Sequence, residues 1–219
     1  MGSARSRTPQ RDVLLVMTEI SIRPLTLQDS PRLADLYRGD RDFLAHWDPQ
    51  RPDAFYTESG QADAVGATVQ ECADGRMWSG VVLEGGCVVG RVSLNGIVRG
   101  PFRSCSLGYW IARPYNGRGL ATDAAAQAIQ VAFGPLGLHR VDAFAREENA
   151  ASCRVLEKNG FRRVGLSRGH IHIDGRWRDD IVFQKLAPWD DGVRLDPPLT
   201  SRGDGMGRVV KRALDQGAI

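Results

Sequence analysis

Long apolar runs are missing from the start of the chain: the longest there is Val13-Leu14-Leu15-Val16-Met17. A membrane-crossing helix needs about 20 such residues, so no transmembrane segment and no membrane partner are expected. A secretory leader needs an apolar stretch of roughly 7–15 residues and a small-residue cleavage site, and neither is found. Closely spaced cysteines are also missing. Cys72, Cys87, Cys105 and Cys153 form no CxxC pair, which argues against a zinc site, and a chain this long needs no disulfide framework. They read as reduced, mostly buried thiols of a cytoplasmic protein, and no metal is expected. An excess of one charge is missing too: 29 Lys plus Arg stand against 26 Asp plus Glu. Residues 19–186 carry 21 basic and 20 acidic groups. Duplex binding rests on neutralising phosphates, so nucleic acid is not an expected partner. Lysine is scarce, 3 against 26 Arg, which base composition accounts for.

What is present fits a soluble globular protein. Of 219 residues, 42% are apolar and 25% charged, enough for one domain of roughly 150–200 residues with tails. Residues 1–18 show no apolar periodicity and read as a flexible extension, within which Met17 is a second candidate for the first residue. Residues 19–186 read as the folded domain. Residues 187–219, rich in Pro, Gly and Asp, read as a tail with a short helix near Arg208–Leu214.

Within 19–186 two periods alternate. Glu19–Pro24 reads as a strand. Asp29 caps a helix to about Tyr37, with Pro31 in the first turn, where a missing N–H costs nothing. A short helix is expected near Phe43-Leu44 and another over residues 61–73. Trp78–Glu84, Cys87–Val98 and Arg103–Ala112 are strands at hairpin spacing, turned by Gly85-Gly86 and Gly100-Pro101. Then come a helix (Leu120–Phe133), a strand (Leu138–Ala145), a helix (Asn149–Lys158) and two strands (Phe161–Ile173, Trp177–Leu186) about Asp174-Gly175. The pattern predicts a mixed α/β domain.

The chemistry concentrates in two segments. LGYWIARPYNGRGLATDA ends a strand, turns on Gly117 and Gly119, and opens an Ala-rich helix. First-turn N–H groups at the positive end of a helix suit a pyrophosphate, and Arg118 adds a charge. A Walker loop would need GxxxxGK[ST], and a dinucleotide fingerprint would need Gly where Thr122 stands. Taken alone, a plain structural turn explains Gly117-Arg118-Gly119 equally well. The second segment, ENAASCRVLEKNGF, has Asn149 as a helix cap, Ser152 in the first turn and Asn159-Gly160 as the stop.

Together with GLHRVDA and DGRWRDDIVF, in this order and spacing, these segments resemble the GNAT family of acetyl-CoA-dependent N-acetyltransferases, in its ribosomal-protein-alanine (RimJ/RimL-type) branch. The resemblance spans roughly residues 19–186. It implies a mostly antiparallel, splayed sheet of six to seven strands flanked by helices, with acetyl-CoA in the split. The family's Q/R-x-x-G-x-G/A signature falls on Asn116, Gly119 and Ala121, with Asn116 departing from Gln or Arg. By resemblance, Ile111, Ala112 and Arg113 hold the pantetheine arm through their backbone. Asn116, Gly117, Arg118, Gly119, Leu120 and Ala121 hold the pyrophosphate, and Asn149 bonds the pantetheine.

Many relatives carry a Tyr seven residues after the Asn as the acid for the departing thiolate, and here Leu156 stands there. The branch resembles this chain in carrying Ser at position 152, so Ser152 is the expected proton donor or hydrogen-bond partner, placed beside the cosubstrate. A backbone N–H near Ile111 would meet the oxyanion. For the base, His170 and His172 alternate on the late strand, with His46, Asp48 and Glu147 as further candidates. Phe43, His46, Trp47, Tyr109 and Trp177 are the expected walls of the acceptor site. The acceptor would be a peptide N-terminus or a small-molecule amine, with a weakly active CoA-binding module as the alternative class. The chain is expected to act as a monomer or homodimer. Cys153 lies about 100° around the helix from Ser152 and is expected to stay out of a direct transfer.

Overall fold

Period-two apolar patterning builds seven strands among the described residues: β1 (Ile20–Pro24), β2 (Trp78–Glu84), β3 (Cys87–Val98), β4 (Ser104–Ile111), β5 (Arg140–Ala145), β6 (Arg162–Ile173) and β7 (Arg176–Leu186). Among the described residues five α-helices accompany them: α1 (Ser30–Gly39), α2 (Arg41–Ala45), α3 (Glu58–Ala73), α4 (Leu120–Phe133) and α5 (Ala150–Lys158). The computed structural model describes residues 20–189. The extension expected at the N-terminus and the helix expected near Arg208–Leu214 lie outside the described residues. No helix among the described residues is long and apolar enough to cross a membrane.

The strands form one sheet in the order β1-β2-β3-β4-β5-β7-β6. Every neighbouring pair is antiparallel except β4 with β5. That parallel pair needs a crossover, which α4 supplies. It is also short, running only from Ser104 opposite Arg140 to Leu107 opposite Ala143. Beyond Leu107, β4 continues against β3 as far as Ile111, while β5 turns to β7. The sheet is therefore split between the last half of β4 and the end of β5, in keeping with the splayed sheet that the family resemblance implies.

Both faces of the sheet are covered. On one, the small side chains of Ala124, Ala125, Ala128 and Ala132 let α4 lie close to the strands, and Cys153 and Leu156 of α5 join them. Gln127 pins α4 to the sheet edge: it accepts from the Ile22 N–H and donates to the Ile20 carbonyl. Asn159 donates to the Thr122 carbonyl at 3.1 Å, fixing α4 to the end of α5. On the other face Leu33, Leu36, Tyr37, Leu44 and Val65 pack on Val81 and Val88. α3 begins three residues before the sequence predicts, because the Thr57 hydroxyl accepts from the Gly60 N–H and caps it. Residues 187–189, which the sequence reading placed in a tail, are packed: the Ala187 N–H donates to His139 and the Trp189 indole to Phe133.

Candidate active site

The end of β4 turns its backbone toward the split. The Ala112 N–H donates to the Val89 carbonyl at 2.9 Å, which marks these residues as a hydrogen-bonded pair across β3 and β4. In an antiparallel ladder such pairs alternate with pairs whose main-chain groups face away. Tyr109, opposite Val92, and Ile111, opposite Gly90, are of the second kind, so their N–H and C=O groups face the gap where β5 has left. Ala112 is turned to β3 instead, which removes it from the expected backbone contacts. Arg113 is committed as well. Its N–H donates to the buried Asp40 carboxylate at 2.6 Å, and its carbonyl accepts from Asn116 at 3.2 Å. Of the three β4-end residues expected to grip the cosubstrate, Ile111 alone presents its amide to the gap.

The next turn is a row of donors. Gly117 and Gly119 take φ of 78° and 85°, a left-handed conformation that glycine adopts at little cost. They turn the chain so that the N–H groups of Gly117, Arg118, Gly119, Leu120 and Ala121 donate to no acceptor among the described residues. Intrahelical bonding starts with Thr122 and Asp123, both to the Gly119 carbonyl. Leu120 is 2% exposed and anchors the helix start in the core. Consecutive bare amides at the positive end of a 14-residue helix fit a diphosphate. The Asn116 amide is spent on Arg113, so the cradle starts one residue later than expected.

Arg118, expected to add its charge to this cradle, already has a partner. Its guanidinium is paired with Glu84 at the end of β2, a carboxylate 10% exposed. Glu84→Gln is therefore expected to tighten coenzyme A binding about threefold to tenfold by freeing one charge-assisted contact. Isothermal titration checks this, and weaker binding would mean that the pair holds the loop in shape.

On the far side of the split the Asn149 side chain accepts from the Ser152 N–H at 3.0 Å and caps α5. The Ser152 hydroxyl is 3.0 Å from the Tyr109 hydroxyl, which also donates to the Ser152 carbonyl. Tyr109, expected as a wall of the acceptor site, is thus a partner of Ser152 and is not among the residues that line the cavity. Burial pushes its phenol up to about 12, against the Ser152 hydrogen bond, which pulls the other way. It keeps its proton throughout the neutral range. Cys153 is buried and donates weakly to the Arg146 carbonyl, and burial raises its thiol. A protonated, buried thiol is a poor nucleophile, consistent with its expected absence from the chemistry. Cys105 is likewise buried, Cys72 half-buried and Cys87 exposed.

A cavity of about 250 Å³ opens where the split ends, and Trp47, Asn149, Ser152, His170 and Asp180 line it with Arg146. Trp47, Asn149, Ser152 and His170 were legible as candidates. Arg146 was not: its guanidinium sits over the Trp47 ring at 4.6 Å and donates to the His46 carbonyl, fixing the aromatic wall from a position 100 residues away in sequence. The remaining candidates lie elsewhere. His172 is exposed and packs on Trp177, itself 67% exposed near the β6–β7 turn. Phe43 lies under Arg113 among the residues packed on α1 and α3, and His46 is exposed beside Trp47. Glu147 is exposed. Asp48 lies outside the cavity lining, and burial raises its carboxyl against the pull of Arg51.

Residues 19–162 match the acetyltransferase (GNAT) domain family. A probable N-acetyltransferase of Bacillus subtilis, YjcK, is 33% identical over 174 residues, covering 78% of this chain and 96% of its own. The ribosomal-protein-uS5-alanine N-acetyltransferase of Escherichia coli is 29% identical over 195 residues, covering 88% of this chain and all of its own. Among solved structures, RimJ of Mycobacterium smegmatis in complex with CoA-disulfide superposes with a TM-score of 0.75 at 26% identity, covering 89% of each chain. A split sheet, a bare amide cradle and a polar cavity beside Ser152 thus occur in a chain that belongs to the GNAT family of acetyl-CoA-dependent N-acetyltransferases.

Proposed function

We propose that this protein moves the acetyl group of acetyl-CoA directly onto the α-amine of a protein N-terminus in a ternary complex. The observation that carries the reading is the cavity shared by Asn149 and Ser152 at the mouth of the β4–β5 split. A pantetheine arm laid along Tyr109–Ile111 would bond their outward main-chain groups as an added strand does. With the diphosphate on Gly117–Ala121, the thioester would reach Ser152. The Ile111 N–H, aimed into the gap, would stabilise the oxyanion. Ser152, backed by the neutral Tyr109 phenol, would donate to the departing sulfur.

An N-terminal acceptor fits this chemistry. A free α-amine has a pKa of about 8 against about 10.4 for lysine, so near neutrality more of it is already nucleophilic. The uS5-alanine specificity in the name of the Escherichia coli relative supports an alanine start. A cytoplasmic site of action follows from that acceptor. The test is mass spectrometry of a peptide starting with alanine and holding one internal lysine. Acetylation at the α-amine is expected. Faster modification of the lysine, or of small amines alone, would replace the acceptor, and no thiol release with any amine would leave only a CoA-binding module.

A further inference from the structure

Resting on the acetyl-transfer reading, we propose that His170 is the general base for the acceptor amine and that Asp180, which lies in DGRWRDDIVF but was given no role from the sequence, is the residue that positions it. Asp180 on β7 is 6% exposed, and its Oδ2 lies 2.7 Å from His170 Nδ1. A carboxylate can only accept, so Nδ1 carries a proton, and in the neutral imidazole the lone pair is then on Nε2. The ring is stacked on Phe144 of β5, centroids 4.2 Å apart and planes 26° from parallel. The hydrogen bond and the ring stacking therefore hold the imidazole, and both His170 and Asp180 line the cavity that holds Ser152 and Asn149.

A strand irregularity creates this placement. The β6–β7 register runs from Ile173 opposite Arg176 to Ile171 opposite Arg178, then jumps to Ser167 opposite Asp180. The extra length in β6 includes Gly169 at φ 55°, whose N–H donates to Asp179 at 2.8 Å. A bulge re-aims a side chain. Here it places His170 in the cavity lining with its side chain 31% exposed, while His172, two residues on, packs on Trp177 outside that lining. The other charged group in the lining is Arg146, held over Trp47. Asp179 is taken by the Gly169 amide.

The amine nitrogen attacks the thioester carbonyl carbon, an N–C bond forms and the C–S bond breaks. One N–H proton passes to His170 Nε2 and on to solvent. The sulfur takes a proton from the Ser152–Tyr109 pair, which refills from solvent.

The test is steady-state kinetics of the full chain with an alanine-starting peptide, alongside coenzyme A titration and circular dichroism. His170→Ala is expected to lower kcat about 100-fold, with KM for acetyl-CoA and coenzyme A affinity unchanged. Added imidazole should restore part of the rate, which a merely structural histidine would not allow. His170→Gln should fall equally without rescue. Asp180→Asn should lower kcat about tenfold at unchanged KM for acetyl-CoA, and Asp180→Glu should recover part of that loss. Wild-type turnover by well-folded His170→Gln and His170→Ala overturns the base assignment and leaves the acetyltransferase standing. Loss of activity in His170→Ala without imidazole rescue overturns it equally. A wild-type protein that releases no thiol with any amine overturns both.

Discussion

Ser152→Ala is expected to lower kcat by about 10–100-fold while KM for acetyl-CoA stays within a factor of two or so. Tyr109→Phe should cost less, about fivefold to tenfold, because its phenol reaches the sulfur only through the Ser152 hydroxyl 3.0 Å away. The double variant should be no slower than Ser152→Ala, since residues acting in series are not additive. Stopped-flow or steady-state thiol release measures all three. The distinction matters chemically. A phenol raised to about 12 by burial holds its proton too tightly to be a strong acid. It can still orient and back a hydroxyl that donates to sulfur. Unchanged kcat in Ser152→Ala, or fully additive losses in the double variant, would remove the pair from the leaving-group step.

Gly119→Ala is expected to weaken coenzyme A at least about tenfold, and Gly119→Val more. A Cβ on Gly119 meets no atom within 4 Å, so protein packing is not the obstacle. The obstacle is φ of 85°, where an L side chain costs about 1–2 kcal/mol. Relaxing that angle rotates the amides of Gly119, Leu120 and Ala121 away from their common target. Gly39→Ala is the matching control: it too meets nothing within 4 Å but keeps an ordinary helical φ in α1. It should leave affinity unchanged and stabilise the fold by up to about 1 kcal/mol. Equal affinity in Gly119→Val and wild type would mean that the cradle does not bind the diphosphate.

The strands and helices were legible because each stretch keeps one period and ends on Gly, Pro or a capping residue. Trp78–Glu84 and Cys87–Val98, separated by Gly85-Gly86, fall where the alternation puts them. Periodicity says nothing about which strands neighbour across a crossover. A splayed, mostly antiparallel sheet was expected only from the family resemblance, and the parallel β4–β5 contact and the split beyond Leu107 were not placed at all.

The site divided in the same way. Asn149 and Ser152 sit on a capped helix, and local sequence is enough to place them. His170 and His172 were read as one face of a strand, and a regular hairpin about Asp174-Gly175 would set His170 against Asp179. The extra residues of β6 shift that register so that Asp180 receives His170. Strict alternation does not encode the bulge, although Gly169 at its centre was a visible signal. Asp40 on the Arg113 amide, Glu84 on Arg118 and Arg146 on Trp47 join residues 34 to 99 positions apart along the chain. No motif announced them.

The most direct measurement is calorimetric titration of coenzyme A into the purified protein and its Gly119→Val variant, repeated with acetyl-CoA as competitor. One saturable site per chain, displaced by acetyl-CoA and weakened by the substitution, is the predicted result. Absence of saturable binding to the wild-type protein would contradict the assignment of the Gly117–Ala121 amides and the β4–β5 split as the seat of the acetyl donor.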